Sequence, residues 1–341
     1  ITDLTGEEVP GSKVLVGGDV DAGIYGFVQP SEFGLINGTT PFSNNSLRTI
    51  IGVGGTNEYG DPSWMKYSFG GKVLFVPLKP LSRSISWNQI YNAGCVYGVD
   101  GVGTLPPNGR LGSELTIEDV GAGVIGITTT GHFLGDLSAG MDYYDTVGAI
   151  GDTIVLAGWS EAGNNGEHEI DTISDTVITV VGGGLTAEAG TMAKKLWNKN
   201  KEVNQLKTVN LNGYDYKVRL LKGAAADPAN YADNRGARGL ANEWVRLIMS
   251  SHIKALTGGW TYSYHDPTHV QDFGIGLTDA DLITHNAYGL GSYTWVQEAR
   301  GDNATFQRLI WGYYGASYVY ANRSWSTNTS YGFRPVLELL E

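Results

Sequence analysis

Cysteine is almost missing from this sequence, which contains Cys95 and no other. One thiol cannot form a disulfide within the chain, so packing, ions or oligomerisation must stabilise it. The apolar neighbours in "YNAGCVYG" predict a buried, inert thiol and not a nucleophile. Charge is scarce too, at 17% of residues where about a quarter is usual. The surface must then draw on Asn, Ser, Thr and Tyr, which suits extracellular or assembled particles. Positive charge is the scarcer sign, 23 Lys and Arg against 35 Asp and Glu, for a net charge of −12. That balance argues against nucleic acid and anionic membranes as partners. No apolar run approaches the ~18 residues of a membrane span. The opening "ITDLTGEEVPG" lacks a secretory-leader layout, which leaves secretion open for a trimmed chain.

Glycine is abundant, at 49 residues, as are tyrosine, at 19, and apolar residues, at 41%. A chain of 341 residues with this profile predicts two or three globular domains rich in strands and turns. Residues 1–60 are dense in Gly, Pro, Asn and Thr with short apolar patches. They read as an extended N-terminal arm that another subunit orders. In "WMKYSFGGKVLFVPLKPL" two strand-like runs flank Gly70-Gly71, a hairpin signal. "SISWNQIYNAG" follows as a short helix with Ser86 as N-cap and Gly94 as stop.

Residues 113–206 have short strands separated by turns and read as a small all-β domain. "TVNLNGYDYKVRLLKG" is a second hairpin, turning at Asn212-Gly213, whose style echoes the first. The β-domain therefore interrupts one core, made of 61–112 and 207–341. In "ANEWVRLIMSSHIKAL" Trp244, Leu247, Ile248 and Ile253 fit one face of a helix. Three strand candidates close the chain, the last being 331–340, read as a strand docked to close the fold.

Motifs are few. "GAGVIG" (121–126) matches a dinucleotide fingerprint, but the β-branched "ITTTGHF" after it is no helix start. "HDPTH" (265–269) spaces two imidazoles four apart, with Pro267 between them and no third ligand at diagnostic spacing. Asp19–Gly23 and Thr278–Asp281 suit turn and capping roles better than calcium. "AKKLWNKNKEVNQLK" (193–207) is a basic stretch around Trp197, read as a solvated linker or helix face. Arg300-Gly301-Asp302 is too short to carry weight. The sequons at Asn37, Asn44, Asn303, Asn322 and Asn328 matter only in a eukaryotic secretory pathway. No nucleophile elbow and no acid–base carboxylate pair can be singled out, so no catalytic residue, metal or cofactor is expected.

Aromatics crowd the last eighty or so residues, including Tyr262, Tyr264, Tyr288, Tyr293 and Trp295. "WGYYGASYVYANRSWSTNTSYG" mixes Tyr, Trp, Ser, Asn and Gly, the palette of adaptable binding surfaces, or else of a tyrosine-rich core with polar loops. The candidate ligand-binding residues are Trp311, Tyr313, Asn322, Arg323, Trp325 and Asn328, with Trp325 as anchor.

Several stretches together resemble a group of bacteriophage virion structural proteins. They are "LTGEEVPGSKVLVGGDVDAGIYG", "WMKYSFGGKVLFVPLKPLSRSISWNQI", "GYDYKVRLLKGA" and the closing "YGFRPVLEL". Gly332-Phe333-Arg334-Pro335-Val336 also resembles the closing strand of C-type-lectin-like and formylglycine-generating-enzyme folds. That enzyme's cysteine pair and the calcium motifs of true lectins are both missing. "GDTIVLAGWSEAGNNGEHEIDTISDTVITV" is similar to small β-domains inserted in phage head and tail proteins.

The resemblance implies an α+β fold, with a C-type-lectin-like core split by the β-domain. It implies a non-enzymatic virion protein of tail or fibre type engaged in host contact. Its partners would be other virion proteins, bound through the arm, further copies of itself as a homo-oligomer, and a host surface glycan or protein. Capsid decoration is the alternative within a particle, and a glycan-acting hydrolase the alternative of another class.

Overall fold

The structure, a computed structural model, describes residues 9–57, 60–107, 109–111, 114–134, 146–191, 193–229, 241–257, 260, 269–283, 292–301 and 307–340. "HDPTH" up to Thr268, together with Tyr262, Tyr264, Tyr288, Asp302 and Asn303, lies outside the described residues. Strand outweighs helix. The chain forms two compact units. The first comprises Ile1–Gly103, Asn204–Glu298 and Arg308–Glu341, and the second comprises Thr104–Val203 and Ala299–Gln307.

A nine-stranded sheet organises the first unit. Its order is Gly17–Gly18, Ala22–Val28, Trp64–Phe69, Lys72–Pro77, Pro335–Leu339, Tyr214–Leu220, Thr208–Leu211, Leu35–Ile36 and Thr40–Pro41. Both predicted hairpins form. Phe69 pairs with Lys72 across Gly70 and Gly71, at φ 55° and 79°. Leu211 pairs with Tyr214 across Asn212 and Gly213, at φ 51° and 96°. Two successive positive φ values give a turn whose twist matches that of the flanking strands, hence the Gly-Gly and Asn-Gly pairs. Ser86 caps Trp87–Asn92 by accepting from the Gln89 N–H at 3.2 Å, and Gly94 leaves the helix at φ 75°.

The expectation of an arm ordered by another subunit is corrected for residues 22–57, which pack within their own unit. Ala22–Val28 pairs antiparallel with Trp64–Phe69 in its own chain. Phe33 and Phe42 pack on Trp64, Phe33 also meets Phe75 at 5.2 Å, and Trp64 donates to Asn44 Oδ1 at 2.8 Å. Ile24, Tyr25, Val28, Phe33 and Phe42 find their partner surface within the unit, whereas Val14 and Val16 stay exposed. The segment 331–340 also departs from one continuous strand. Tyr331–Phe333 belongs to a five-stranded sheet and Pro335–Leu339 to the nine-stranded one. Between them Arg334 is fully buried, its guanidinium 5.3 Å from the Trp244 ring centre and donating to Leu282 O.

Charge is buried where the two halves of the nine-stranded sheet meet. Arg219 donates to both Glu243 carboxylate oxygens at 2.7 Å and to Glu338 Oε2 at 2.7 Å. Lys72 and Lys217 add contacts to Glu338 at 2.6 and 3.1 Å. Glu298 differs. It accepts from the Gly223 N–H at 2.9 Å, but burial first, and Asp227 second, push its carboxyl well above the usual range. A raised carboxyl pKa costs folding free energy as pH rises above the unfolded value of about 4.3. Glu298→Gln keeps the acceptor and removes the ionisation. It should raise the melting temperature at pH 7–8 and leave it unchanged near pH 4. Equal melting at both pH values would show that Glu298 is not held neutral.

The five-stranded sheet has the order Val319–Arg323, Gln307–Gly312, Tyr293–Ala299, Tyr331–Phe333, Ser82–Arg83. Beneath it lies a cluster in which Trp244 stacks on Trp311 at 5.9 Å. The single helix expected over 241–256 is corrected to a π-helical turn, Trp244–Met249, and a short helix, Lys254–Thr257. The hydroxyls of Ser250 and Ser251 donate back to Val245 O and Leu247 O, competing with the helical ladder. Ile253 consequently stands 52% exposed, off the buried face.

The second unit carries an eight-stranded sheet over a core of Leu115, Ile117, Ile127, Ile154, Leu156 and Ile178 with their neighbours. "GAGVIG" forms the turn between Leu115–Asp119 and Ile125–Thr129, so a strand follows it and no helix N-terminus is offered to a phosphate. The basic stretch is linker and solvated helical turn only in part, over Lys199–Lys201 and the segment after it. Lys195–Asn198 is a strand in this sheet, with Leu196 and Trp197 buried and Lys194 paired to Glu188.

Candidate functional site

One end of the five-stranded sheet gathers six tyrosines. Tyr293 begins a strand, Tyr313, Tyr314 and Tyr318 occupy the turn after Gln307–Gly312, Tyr320 lies on the outer strand, and Tyr331 begins the strand beside Tyr293. Tyr293 is the hub, with ring centres of Tyr313, Tyr331, Tyr318 and Tyr320 at 4.9, 5.6, 6.1 and 6.4 Å. Tyr314 stands edge-on between Tyr313 at 4.7 Å and Tyr318 at 5.0 Å. Such near-perpendicular and offset contacts are the favoured ones for π systems. Val319 and Ala321 are buried while Tyr320 points outward, the alternation of a half-buried strand. Exposure therefore concentrates on Tyr314, at 57%, and Tyr320, at 40%.

Burial, then the neighbouring Tyr318, pushes the Tyr293 phenol far up, and burial likewise raises Tyr331. Both stay neutral at ordinary pH and serve as hydrogen-bonding hydroxyls. Asn322 Nδ2 donates to the Tyr331 hydroxyl, and its Oδ1 accepts from the Arg323 N–H at 2.7 Å. The Arg323 guanidinium lies 5.7 Å from the centre of the half-buried Trp325 ring. The loop is tied down at Ser324, whose carbonyl accepts from the Asn88 N–H at 2.9 Å. Asn328 is exposed and closes the loop by accepting from Ser330 N–H and Oγ–H at 3.0 and 2.8 Å.

Of the six sequence-selected residues, Tyr313 belongs to the tyrosine end, Asn322 and Asn328 bond to Tyr331, and Arg323 and Trp325 pair with each other in the connecting segment. Trp311 is corrected. It is fully buried, stacks on Trp244 and donates to Gly223 O at 3.0 Å, so it walls the core and cannot touch a ligand. Tyr314 and Tyr320 are the rings most open to one, and the sequence signal for Tyr320 was its alternation with Val319 and Ala321.

Other chemistry-bearing groups are engaged structurally. Cys95 is buried, and burial pushes its thiol up to about 12. Asp19 accepts from the Asp21 and Ala22 N–H groups at 2.9 Å, and Thr278 with Asp281 forms a capping box. Among the described residues no group of three or more His, Cys, Asp or Glu is placed to hold a metal ion. The arrangement can stack on and hydrogen-bond a ligand. In comparisons with known proteins, no family model, curated protein or solved structure matches the chain.

Proposed function

We propose that this chain is a binding and assembly protein with no catalytic activity of its own. More particularly, we propose a bacteriophage virion structural protein of tail or fibre type that meets the host through the tyrosine-rich end. The observation that carries host contact is the exposure of Tyr314 and Tyr320 above a base of packed tyrosines, with Trp325, Arg323 and Asn328 alongside. Rigid aromatic rings lose little entropy on binding and stack on sugar or peptide surfaces. The virion assignment draws on the resemblance of residues 4–26, 64–90, 213–224 and 331–339. A C-type-lectin-like core is supported by the return of Pro335–Leu339 to the middle of the main sheet. Val14 and Val16, exposed at 71% and 57%, support contact of the N-terminal segment with further copies or other virion proteins.

Trp325→Ala should weaken host-cell binding about thirtyfold per site, ~2 kcal/mol, at an unchanged melting temperature. Multivalent display on a particle would enlarge the loss. A large fall in melting temperature, or unchanged binding by folded protein, would mark Trp325 as a strut of the loop. Labelling the protein on intact particles separates tail duty from capsid decoration. Turnover of host polysaccharide would replace the reading with a hydrolase.

A further inference from the structure

We propose that Asp279 is the positioning residue of the tyrosine-rich end, a carboxylate that holds the 312–318 turn in the shape presenting Tyr313, Tyr314 and Tyr318. The inference rests on the binding role proposed for that end.

The turn closes on itself through three bonds, Gly312 N–H to Tyr318 O at 2.8 Å, Tyr318 N–H to Gly315 O at 2.9 Å and Tyr314 N–H to Gly312 O at 3.1 Å. None of them ties it to the rest of the unit. Ala316 does so, from both sides of its backbone. Its N–H donates to Asp279 Oδ1 at 2.8 Å, and its carbonyl accepts from the Trp244 indole N–H at 2.8 Å. Gly315 lies against the same carboxylate, where an added Cβ would meet both oxygens at 3.6–3.7 Å. Tyr313 holds φ 75°, a backbone conformation rare for an aromatic residue and one that persists only where its surroundings fix it.

Asp279 is itself fixed. It opens the short helix Asp279–Leu282, whose end is anchored by Arg334 donating to Leu282 O and by Ser292 donating to Ile283 O. The buried His252 places Nε2 3.2 Å from Asp279 Oδ1, while its Nδ1 accepts from the Lys254 N–H at 3.1 Å. The proton therefore sits on Nε2, facing the carboxylate. The contact of Nε2 with Asp279 is electrostatic, a brace on the carboxylate without a well-aimed hydrogen bond. Burial raises the Asp279 carboxyl, but His252 and the Ala316 N–H outweigh it and hold the group below its ordinary range. Trp244 is fully buried, whereas the Asp279 side chain is 37% exposed, so Asp279 is the half of the clamp that solvent reaches.

The test compares Asp279→Ala with Asp279→Asn in the full chain. Asparagine keeps Oδ1 as acceptor, and alanine removes it. Asp279→Ala should speed hydrogen exchange at the Ala316 amide at least about tenfold and alter the near-ultraviolet tyrosine dichroism. If the turn then adopts its binding shape about a tenth of the time, host-cell binding falls about tenfold. Asp279→Asn should restore all three. An Ala316 amide as slow in Asp279→Ala as in the parent overturns the proposal, as does failure of asparagine to rescue. Should Asp279→Ala not fold, Asp279→Leu fills the site without an acceptor and is read the same way. Tyr314→Ser separates the two ideas. Normal host binding by that variant, with Ala316 released in Asp279→Ala, removes the binding role and leaves the positioning role standing.

Discussion

Replacing Arg219 with methionine is expected to destabilise the first unit by about 3–5 kcal/mol, because it strands buried carboxylates. Glu243 and Glu338 would each lose the guanidinium that now meets them at 2.7 Å. Lys72 and Lys217 still reach Glu338, so Glu243 is the group left most exposed to the loss. Tryptophan fluorescence in a urea titration reports it well. Trp64, Trp87, Trp244, Trp260, Trp295, Trp311 and Trp325 lie in the first unit, against Trp159 and Trp197 in the second. Exchanging Arg219, Glu243 and Glu338 together for apolar residues of similar volume should recover most of the stability. A single Arg219→Met chain that unfolds at the parent's midpoint would show the network to be idle. The same network sets a pH dependence. Burial pushes the Glu338 carboxyl up, yet Arg219 and the two lysines outweigh it and hold it down to about 2. A depressed carboxyl contributes its stability above the unfolded value of about 4.3 and loses it as pH falls from there toward 2. In Glu338→Gln that acid-side decline should be shallower.

Trp311→Ala should cost about 3–5 kcal/mol, the range for emptying a large aromatic site in a core. It removes the stack on Trp244 and one of the two donors to Gly223 O, the other being Asn242 at 3.0 Å. Because Asn242 remains, the carbonyl is not orphaned and the cavity dominates. Trp311→Phe, which keeps a ring and loses the N–H, should therefore cost much less. Both variants should bind host cells normally at temperatures where they stay folded. Weakened binding by folded Trp311→Phe would return Trp311 to the ligand surface.

Local chemistry was legible where it was self-contained. Gly70-Gly71 and Asn212-Gly213 dictate tight turns by their φ preferences alone, and Ser86 with Gln89 caps a helix within one turn of chain. The candidate site was half legible. Its Tyr, Trp and Asn content marked the right stretch, but Trp311 and Tyr320, nine positions apart, face opposite environments. Strand register, set by partners far away in sequence, decides between them. Asp279 was visible only as part of a capping motif, because its partner Ala316 is 37 residues distant. The break at Ser250 and Ser251 was hidden because amphipathic spacing says nothing about serine hydroxyls competing for the backbone.

The placement of Pro335–Leu339 between Lys72–Pro77 and Tyr214–Leu220 makes completion of the main sheet wait for a strand that emerges late in translation. Lys72 and Glu338 meet across 266 residues of chain. During translation the two flanking hairpins leave the ribosome long before the strand that joins them. Each must wait with an open edge, the kind of surface that pairs wrongly with other chains. Pairing over so long a separation is non-local, which slows completion of the sheet. A ribosome that stalls before residue 335 releases a product with its main sheet in two pieces.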